Sequence, residues 1–508
     1  MYYPTPKVGM QKKHRFQNAI FLVTLVFFAV FILSIHINKP FMGHHDWNSV
    51  VYSQVARNIV RYGIWQAKFG QVNTYDFTTP ANFGYITHYP PLLPILMSGS
   101  FSILGISEIS ARVVPIIASG LMVGLIFLLG LNYFNRDVGF LAGIFMIVTP
   151  IFIYFGKMPV HESVVPAFSL LAVYGYFRYI QTQKFKFYFL LLLGLVVGGL
   201  INWTGYYVVL PIVGDYFFMQ KVRRLRWLII TLIFVSMSLF SGHLLHLKIL
   251  TGKFFGGGLI GIFMDRFNPY QTQSTYGFSL PKYFIQELNF IKIYFTLPLC
   301  VLAFLKLLQL LIKFIRKLKI NPGDRLLIMF AVYGMTHLLI FQQLVFIHDY
   351  MIYYLLPFMC LSAGAAANQL LKIIPLVWFR NIAVVGLILV VAFERANFAK
   401  ALLDSKMNER GVLLGKFIAA QTHSGELSLV SSFSYKEFTD VFIGFYADRN
   451  VHYAETVDPK QLLKYRLIIR PKDHDAFDKF SKSYLNEHVP RYENKLYFWY
   501  DTNGFKLE

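Results

Sequence analysis

FQNAIFLVTLVFFAVFILSIHI, residues 16–37, carries no Lys, Arg, Asp or Glu and leads into Gly43-His44-His45-Asp46-Trp47. A run of that length crosses a bilayer, whose hydrocarbon core takes about 20 helical residues. Lys7, Lys12, Lys13 and Arg15 precede it and no small-residue cleavage site follows. It therefore reads as a retained anchor with its N-terminus in the cytoplasm. An acid placed just past such a span sits at the far membrane face, so the pentad marks both a topology and a place for chemistry.

Working outward, apolar runs recur at 113–131, 138–155, 164–181, 187–201, 205–219, 226–245, 290–312, 326–346, 351–371 and 381–394. With the first they predict a polytopic α-helical membrane protein of about eleven spans. Composition agrees. The 508 residues are 56% hydrophobic and 15% charged, with a mean hydropathy of +0.50. Soluble chains are nearer 45–50% apolar and about 25% charged. The net charge of +22 does not call for nucleic acid, because the basic residues cluster at the ends of apolar runs. Arg136, then Arg178, Lys184 and Lys186, then Lys221, Arg223 and Arg224, then Lys313, Arg316 and Lys317, then Lys372 and Arg380 all fall in alternate loops, which the charge rule assigns to the cytoplasm. The segment 90–106, PPLLPILMSGSFSILGI, is short and opens on Pro-Pro, so it reads as a juxtamembrane helix on the outer face. Cys300 and Cys360 fall inside expected spans, which argues against a disulfide framework.

Past residue 400 the pattern changes. Strands are expected at 426–431, 451–454, 465–469 and 495–500, with helices near 409–422, 434–447, 458–464 and 474–487. That alternation predicts a small α/β domain with a mainly parallel sheet. It has no glycine-rich phosphate loop or nucleophile elbow, so no catalysis is assigned to it. The expected division is 1–397, a membrane domain carrying the catalysis, and 398–508, an extracytoplasmic α/β domain. The run Gly256-Gly257-Gly258 in the second large outer segment reads as an ordinary loop.

The candidate chemistry gathers on one face. Asp46 alone reads as a solvated acid ending a helix. Arg57 and Arg61 stand four apart on one helical face, as a phosphate clamp requires. His88 follows in Thr87-His88-Tyr89-Pro90-Pro91, and Glu162 lies in the outer turn Met158-Pro159-Val160-His161-Glu162-Ser163. His348-Asp349-Tyr350 closes another span on that side and reads equally well as an aromatic belt. Two carboxylates among cations suit sugar transfer from a polyprenyl phosphate. An acceptor must lose a proton as it attacks the anomeric carbon. The leaving phosphate needs only fixed cations. His44-His45-Asp46 also admits a divalent metal, but no HExxH or paired acid cluster supports one, and no cofactor is expected. Asn202-Trp203-Thr204 matches a glycosylation triplet, discarded because it abuts a span.

These motifs, in this order over residues 16–394, resemble the GT-C glycosyltransferases of the protein O-mannosyltransferase and lipid A aminoarabinose transferase type. The resemblance implies Asp46 as the catalytic base and Glu162 as a second catalytic acid orienting the acceptor. It implies Arg57, His88, His348 and Tyr350 as donor-phosphate contacts, with His45, Arg61 and Tyr354 as accessory residues. His88-Tyr89-Pro90-Pro91-Leu92 is similar to the family's His/Lys-x-Pro-Pro motif. Ser110-Ala111-Arg112-Val113-Val114-Pro115 is similar to the start of its second span. The implied partners are a polyprenyl-phosphate sugar, membrane lipids, and a lipid, glycan or protein acceptor at the outer face of the cytoplasmic membrane. The chain departs from the type in lacking a β-trefoil domain and the usual acidic pair at the first site, where Trp47 follows Asp46. A flippase for lipid-linked sugars and a polymerase or ligase using a diphosphate donor are the rival readings. Flippases bury ionisable residues within spans and carry repeats; neither is evident here.

Overall fold

The computed structural model describes residues 11–75, 77–217, 226–255, 259–261, 264, 277–431, 439–454, 464–471, 492–493 and 497–501. Gly256–Gly258, the helix expected near 474–487 and nearly all of that near 458–464 lie outside them. Among the described residues eight helical stretches are long and apolar enough to cross a membrane. They are Arg15–Ser34, Glu108–Tyr133, His161–Thr182, Arg226–Thr251, Leu297–Ile315, Pro322–Ile340, Asp349–Leu371 and the stretch from Val377 to Gln421. The runs at 138–155, 187–201 and 205–219 account for the shortfall from eleven. Thr149 turns extended ahead of Pro150, which splits the first into Arg136–Val148 and Pro150–Phe155. The second forms Phe185–Ile201, 17 residues. The third is a 3-10 segment, Trp203–Val208, running into the short helix Val209–Asp215. Leu92–Leu104, 13 residues long, is too short to span, as its sequence indicated.

By contact the chain divides into two compact units. The helical unit comprises Met1–Ile37, Thr87–Ser100 and Ile109–Leu403. Small residues set its closest approaches. A Cβ on Gly175 would lie 2.5 Å from Leu191 N, and one on Gly194 2.5 Å from Phe168 O. Helices His161–Thr182 and Phe185–Ile201 thus pack backbone to backbone, the arrangement small residues permit in membranes. Several buried charges inside this unit are paired. Arg325 Nε donates to Asp215 Oδ1 at 2.7 Å, Tyr176 OH donates to Asp215 Oδ2 at 2.7 Å, and Lys313 Nζ meets Asp324 at 2.6 Å. At the end of the first span, Arg112 donates to Ile37 O at 2.6 Å and Lys157 to Ile35 O. Basic side chains thus satisfy carbonyls that a helix C-terminus leaves open.

The second unit comprises Asn38–Ile86, Phe101–Glu108 and Asp404–Glu508. The first outer loop therefore groups with the C-terminal residues, where a division at 397/398 had put it with the spans. Its sheet has the order β4-β3-β5-β7-β6: β3 is Leu427–Ser431, β4 Asn450–Ala454, β5 Leu467–Pro471, β6 Tyr492–Glu493 and β7 Tyr497–Asp501. The first three are parallel and β7 and β6 antiparallel, close to the expected pattern. Helices Glu409–Gln421 and Thr439–Ala447 bury Leu414, Ile418 and Ile443 against Val430, Val451 and Ile469. In the loop part, Gln71–Val72 (β1) pairs antiparallel with Tyr85–Ile86 (β2). Asn58 Nδ2 and Gln54 Nε2 both donate to Thr74 O, at 2.7 and 2.8 Å, and pin that hairpin to helix Asp46–Tyr62.

Candidate active site

Asp46 opens the helix Asp46–Tyr62 and is 7% exposed. His45 before it sits in the left-handed region, φ 58°, with its ring centroid 4.0 Å from that of His44. That conformation costs a non-glycine residue about 1–2 kcal/mol, and such residues collect at functional sites. The backbone N–H of Gly43 donates to Asp46 Oδ2 at 2.7 Å, and Ser49 Oγ donates to Oδ1 at 3.1 Å. Both bonds suit a structural acid at a helix start. They also fix the carboxylate while each oxygen keeps a lone pair for another proton.

Arg57 has protein partners on most of its guanidinium. Its guanidinium, 3% exposed, donates to Phe445 O at 2.7 Å, to Gly444 O at 3.2 Å and to Gln54 Oε1. It also lies 3.1 Å from Asp448 and over the Phe445 ring. Burial lowers it from its ordinary value to about 10, with Asp448 acting in the opposite sense, so it stays charged at neutral pH. Arg61 pairs with the same Asp448 and covers Phe77. The two arginines do share a face, but the face is turned to the C-terminal residues. These contacts occupy most of both guanidinia, while Arg57 Nε and Arg61 Nη1 keep N–H groups without a hydrogen-bond partner among the described residues.

In the helical unit a second cluster surrounds Glu162, which is 5% exposed in the first turn of His161–Thr182. Ser163 Oγ donates to Met158 O and Val160 O and holds the turn ahead of it. Acids are favoured in a first helical turn, so the position also has a structural use. Glu162, Tyr89, Trp203, Thr204, Tyr207 and His337 line one small cavity. Tyr89 bridges two imidazoles, its ring centroid 4.5 Å from His88 and 4.6 Å from His161. Trp203 Nε1 donates to His88 O at 2.6 Å. Thr204 Oγ1 and Tyr354 OH stand 2.8 Å apart, Tyr207 OH and His337 Nδ1 3.1 Å apart. The His337 and Tyr354 rings approach to 5.1 Å.

Glycines explain how those side chains meet. A Cβ on Gly205 would fall 2.2 Å from the Gly198 carbonyl carbon, so the Trp203–Val208 segment can lie flat on its preceding helix. A Cβ on Gly334 would meet Tyr354 O at 2.9 Å, and His337 is one turn further along that face. Glu162 lines the cavity, while His88 and Tyr354 adjoin it through Tyr89 and through Thr204 and His337. His348 and Tyr350 pair with each other, ring centroids 5.4 Å apart, and Tyr350 packs on Phe155. Asp349 between them accepts from Tyr294 OH at 2.6 Å. The sequence reading passed over Trp203, Thr204, Tyr207 and His337. Its one available signal was the polar break Asn202-Trp203-Thr204 between two apolar runs.

Against known proteins, residues 88–246 match the family model described as dolichyl-phosphate-mannose-protein mannosyltransferase. No curated protein matches the chain by sequence. The fold is similar to the crystal structure of ArnT from Cupriavidus metallidurans bound to undecaprenyl phosphate. That likeness has a TM-score of 0.64 and 10% identity, over 94% of this chain and 97% of that one. It is also similar to the Archaeoglobus fulgidus oligosaccharyltransferase crystallised with Zn and sulfate, with a TM-score of 0.57 and 12% identity, over 89% of this chain and 68% of that one. The archaeal oligosaccharyltransferase AglB, in complex with an inhibitory peptide and a dolichol-phosphate, matches with a TM-score of 0.55 and 12% identity, over 91% and 70%. A helical membrane body, a mannosyltransferase-model match across its second to seventh apolar runs and a fold similar to that of ArnT along nearly the whole of both chains agree: the chain is a polytopic membrane protein with the fold of the glycosyltransferases it resembles.

Proposed function

We propose that this protein transfers a monosaccharide from a polyprenyl phosphate to a hydroxyl or amine acceptor at the outer face of the cytoplasmic membrane. The observation that carries the proposal is the fold held in common with ArnT over 94% of this chain, since ArnT was crystallised with undecaprenyl phosphate. Asp46 takes the acceptor's proton as its heteroatom attacks the anomeric carbon. The bond from that carbon to the phosphate oxygen breaks, its electron pair leaves with the phosphate, and free polyprenyl phosphate is the second product. A phosphate leaving group needs fixed positive or hydrogen-bonding groups more than a strong acid. With Arg57 committed to Phe445, Gly444 and Asp448, that task is assigned to His88, His348 and Tyr350. Glu162 serves the hydroxyl-bearing substrate, and its surroundings support this. A carboxylate beside an indole, two phenols and an imidazole suits the apolar face and polar edge of a sugar. No step calls for a metal.

The test uses purified protein in liposomes with a mono- or diphosphate-linked sugar. Transfer predicts release of free polyprenyl phosphate from the monophosphate donor only. A donor recovered intact on the opposite leaflet would make the protein a flippase. Turnover of the diphosphate donor alone would make it a polymerase or ligase.

A further inference from the structure

Asn408 is the N-cap of helix Glu409–Gln421, yet its side chain makes no capping bond. Asn is favoured at that position because its side-chain oxygen accepts an N–H of the first turn. Here the side chain reaches across the fold instead. Asn408 Nδ2 donates to Gly43 O at 2.9 Å, 365 positions away in sequence, and the Asn408 backbone N–H donates to Met42 O at 2.9 Å.

The second bond matters for Asp46. Met42 O and Gly43 N belong to one peptide group. Its oxygen receives the Asn408 N–H, and its N–H is the group that donates to Asp46 Oδ2 at 2.7 Å. A hydrogen bond received at a peptide oxygen polarises the unit and strengthens the bond its N–H gives. The neighbouring residues are tied in the same way. Phe41 N–H donates to Tyr446 OH at 2.7 Å, Tyr446 OH donates to Glu108 at 2.8 Å, and Lys39 Nζ donates to Ser405 O at 2.7 Å. Burial, then the charge of Glu108, pushes the Tyr446 phenol well above its ordinary range, so it stays a protonated donor. All of these residues belong to one compact unit.

The geometry points to Asn408 as a positioning residue: its backbone N–H holds Met42 O, its side chain holds Gly43 O, which also accepts Asp46 N–H at 3.3 Å, and together they set the Asp46 carboxylate for proton transfer. The C-terminal region then contributes to catalysis by completing the loop that carries the base. This inference rests on the reading of Asp46 as that base.

The full-length protein in liposomes tests it. Asn408→Asp keeps the side chain's shape and replaces its donor with an acceptor facing Gly43 O, while Asn408→Ala removes the amide. A positioning role predicts that kcat per folded molecule falls about tenfold or more while the donor KM stays within about twofold. In an Asp46→Asn background neither change lowers the residual rate further. A tether with a purely structural role would lower the folded fraction and leave kcat per folded molecule unchanged, and that result overturns the inference. Should both Asn408 variants fail to fold, Tyr446→Phe loosens the same loop at Phe41, and full kcat in a folded Tyr446→Phe protein would overturn it equally. Full activity in Asp46→Asn removes the base assignment and this inference with it. A dead Asp46→Asn beside a fully active Asn408→Asp removes this inference alone.

Discussion

Arg57 decides how the polar residues after the first span are to be understood. Its guanidinium donates to two backbone carbonyls, Phe445 O and Gly444 O, the second of which also accepts Asp448 N–H at 3.3 Å. Leaving buried acceptors without a donor costs about 1–3 kcal/mol each. Arg57→Met should therefore lower the thermal unfolding midpoint by several degrees and leave the donor KM of the folded fraction unchanged. A raised donor KM with an unchanged melt would return Arg57 to the phosphate. Asp46, Glu162 and His88 were legible as polar residues beside apolar runs, whereas Tyr354, inside the run 351–371, entered only through the family resemblance. The destination of Arg57 was not legible. Helical spacing says which residues share a face; it is silent on which surface, nearly four hundred residues along the chain, that face will meet.

Among elements, the helices and strands follow their hydrophobic periods, and the exceptions have local causes. Pro150 forces Thr149 into an extended conformation and cuts one expected span in two. Gly205 turns the start of another into a 3-10 segment lying on the helix before it, its missing Cβ replaced by the Gly198 backbone at 2.2 Å. Hydropathy cannot register that contact, since glycine scores as neither strongly apolar nor polar. In the sequence, Trp203 and Thr204 stand out only as part of a glycosylation triplet, discarded because it abuts a span. Gly205→Ala should separate the segment from Phe185–Ile201, cost about 1–3 kcal/mol and lower transfer with it. Thermal unfolding beside an activity assay checks this. A stable, fully active Gly205→Ala protein would show that the cavity around Glu162 does not depend on that contact. The C-terminal strands were the most legible part, because β3, β4 and β5 are short apolar runs bounded by turn residues.

At the scale of the whole molecule, the residues that carry Asp46 fold with the last hundred residues and form one compact unit with them. Weakening the far core should then be felt at the base. Ile443, in helix Thr439–Ala447, is fully buried in the core that this helix forms with Glu409–Gln421 and the sheet. Ile443→Ala should cost about 2–5 kcal/mol and raise hydrogen exchange of the amides in Asp46–Tyr62 together with those of the sheet. Unchanged protection in Asp46–Tyr62 would mean that the two parts unfold independently. Under the proposed function, what the whole arrangement serves is proton removal from an acceptor by Asp46. The direct measurement is the rate of polyprenyl phosphate release by Asp46→Asn, in protein shown to be folded and equally abundant. Loss of a general base predicts a fall in kcat of about 10²–10⁴-fold with the donor still bound; release at the wild-type rate would contradict the account.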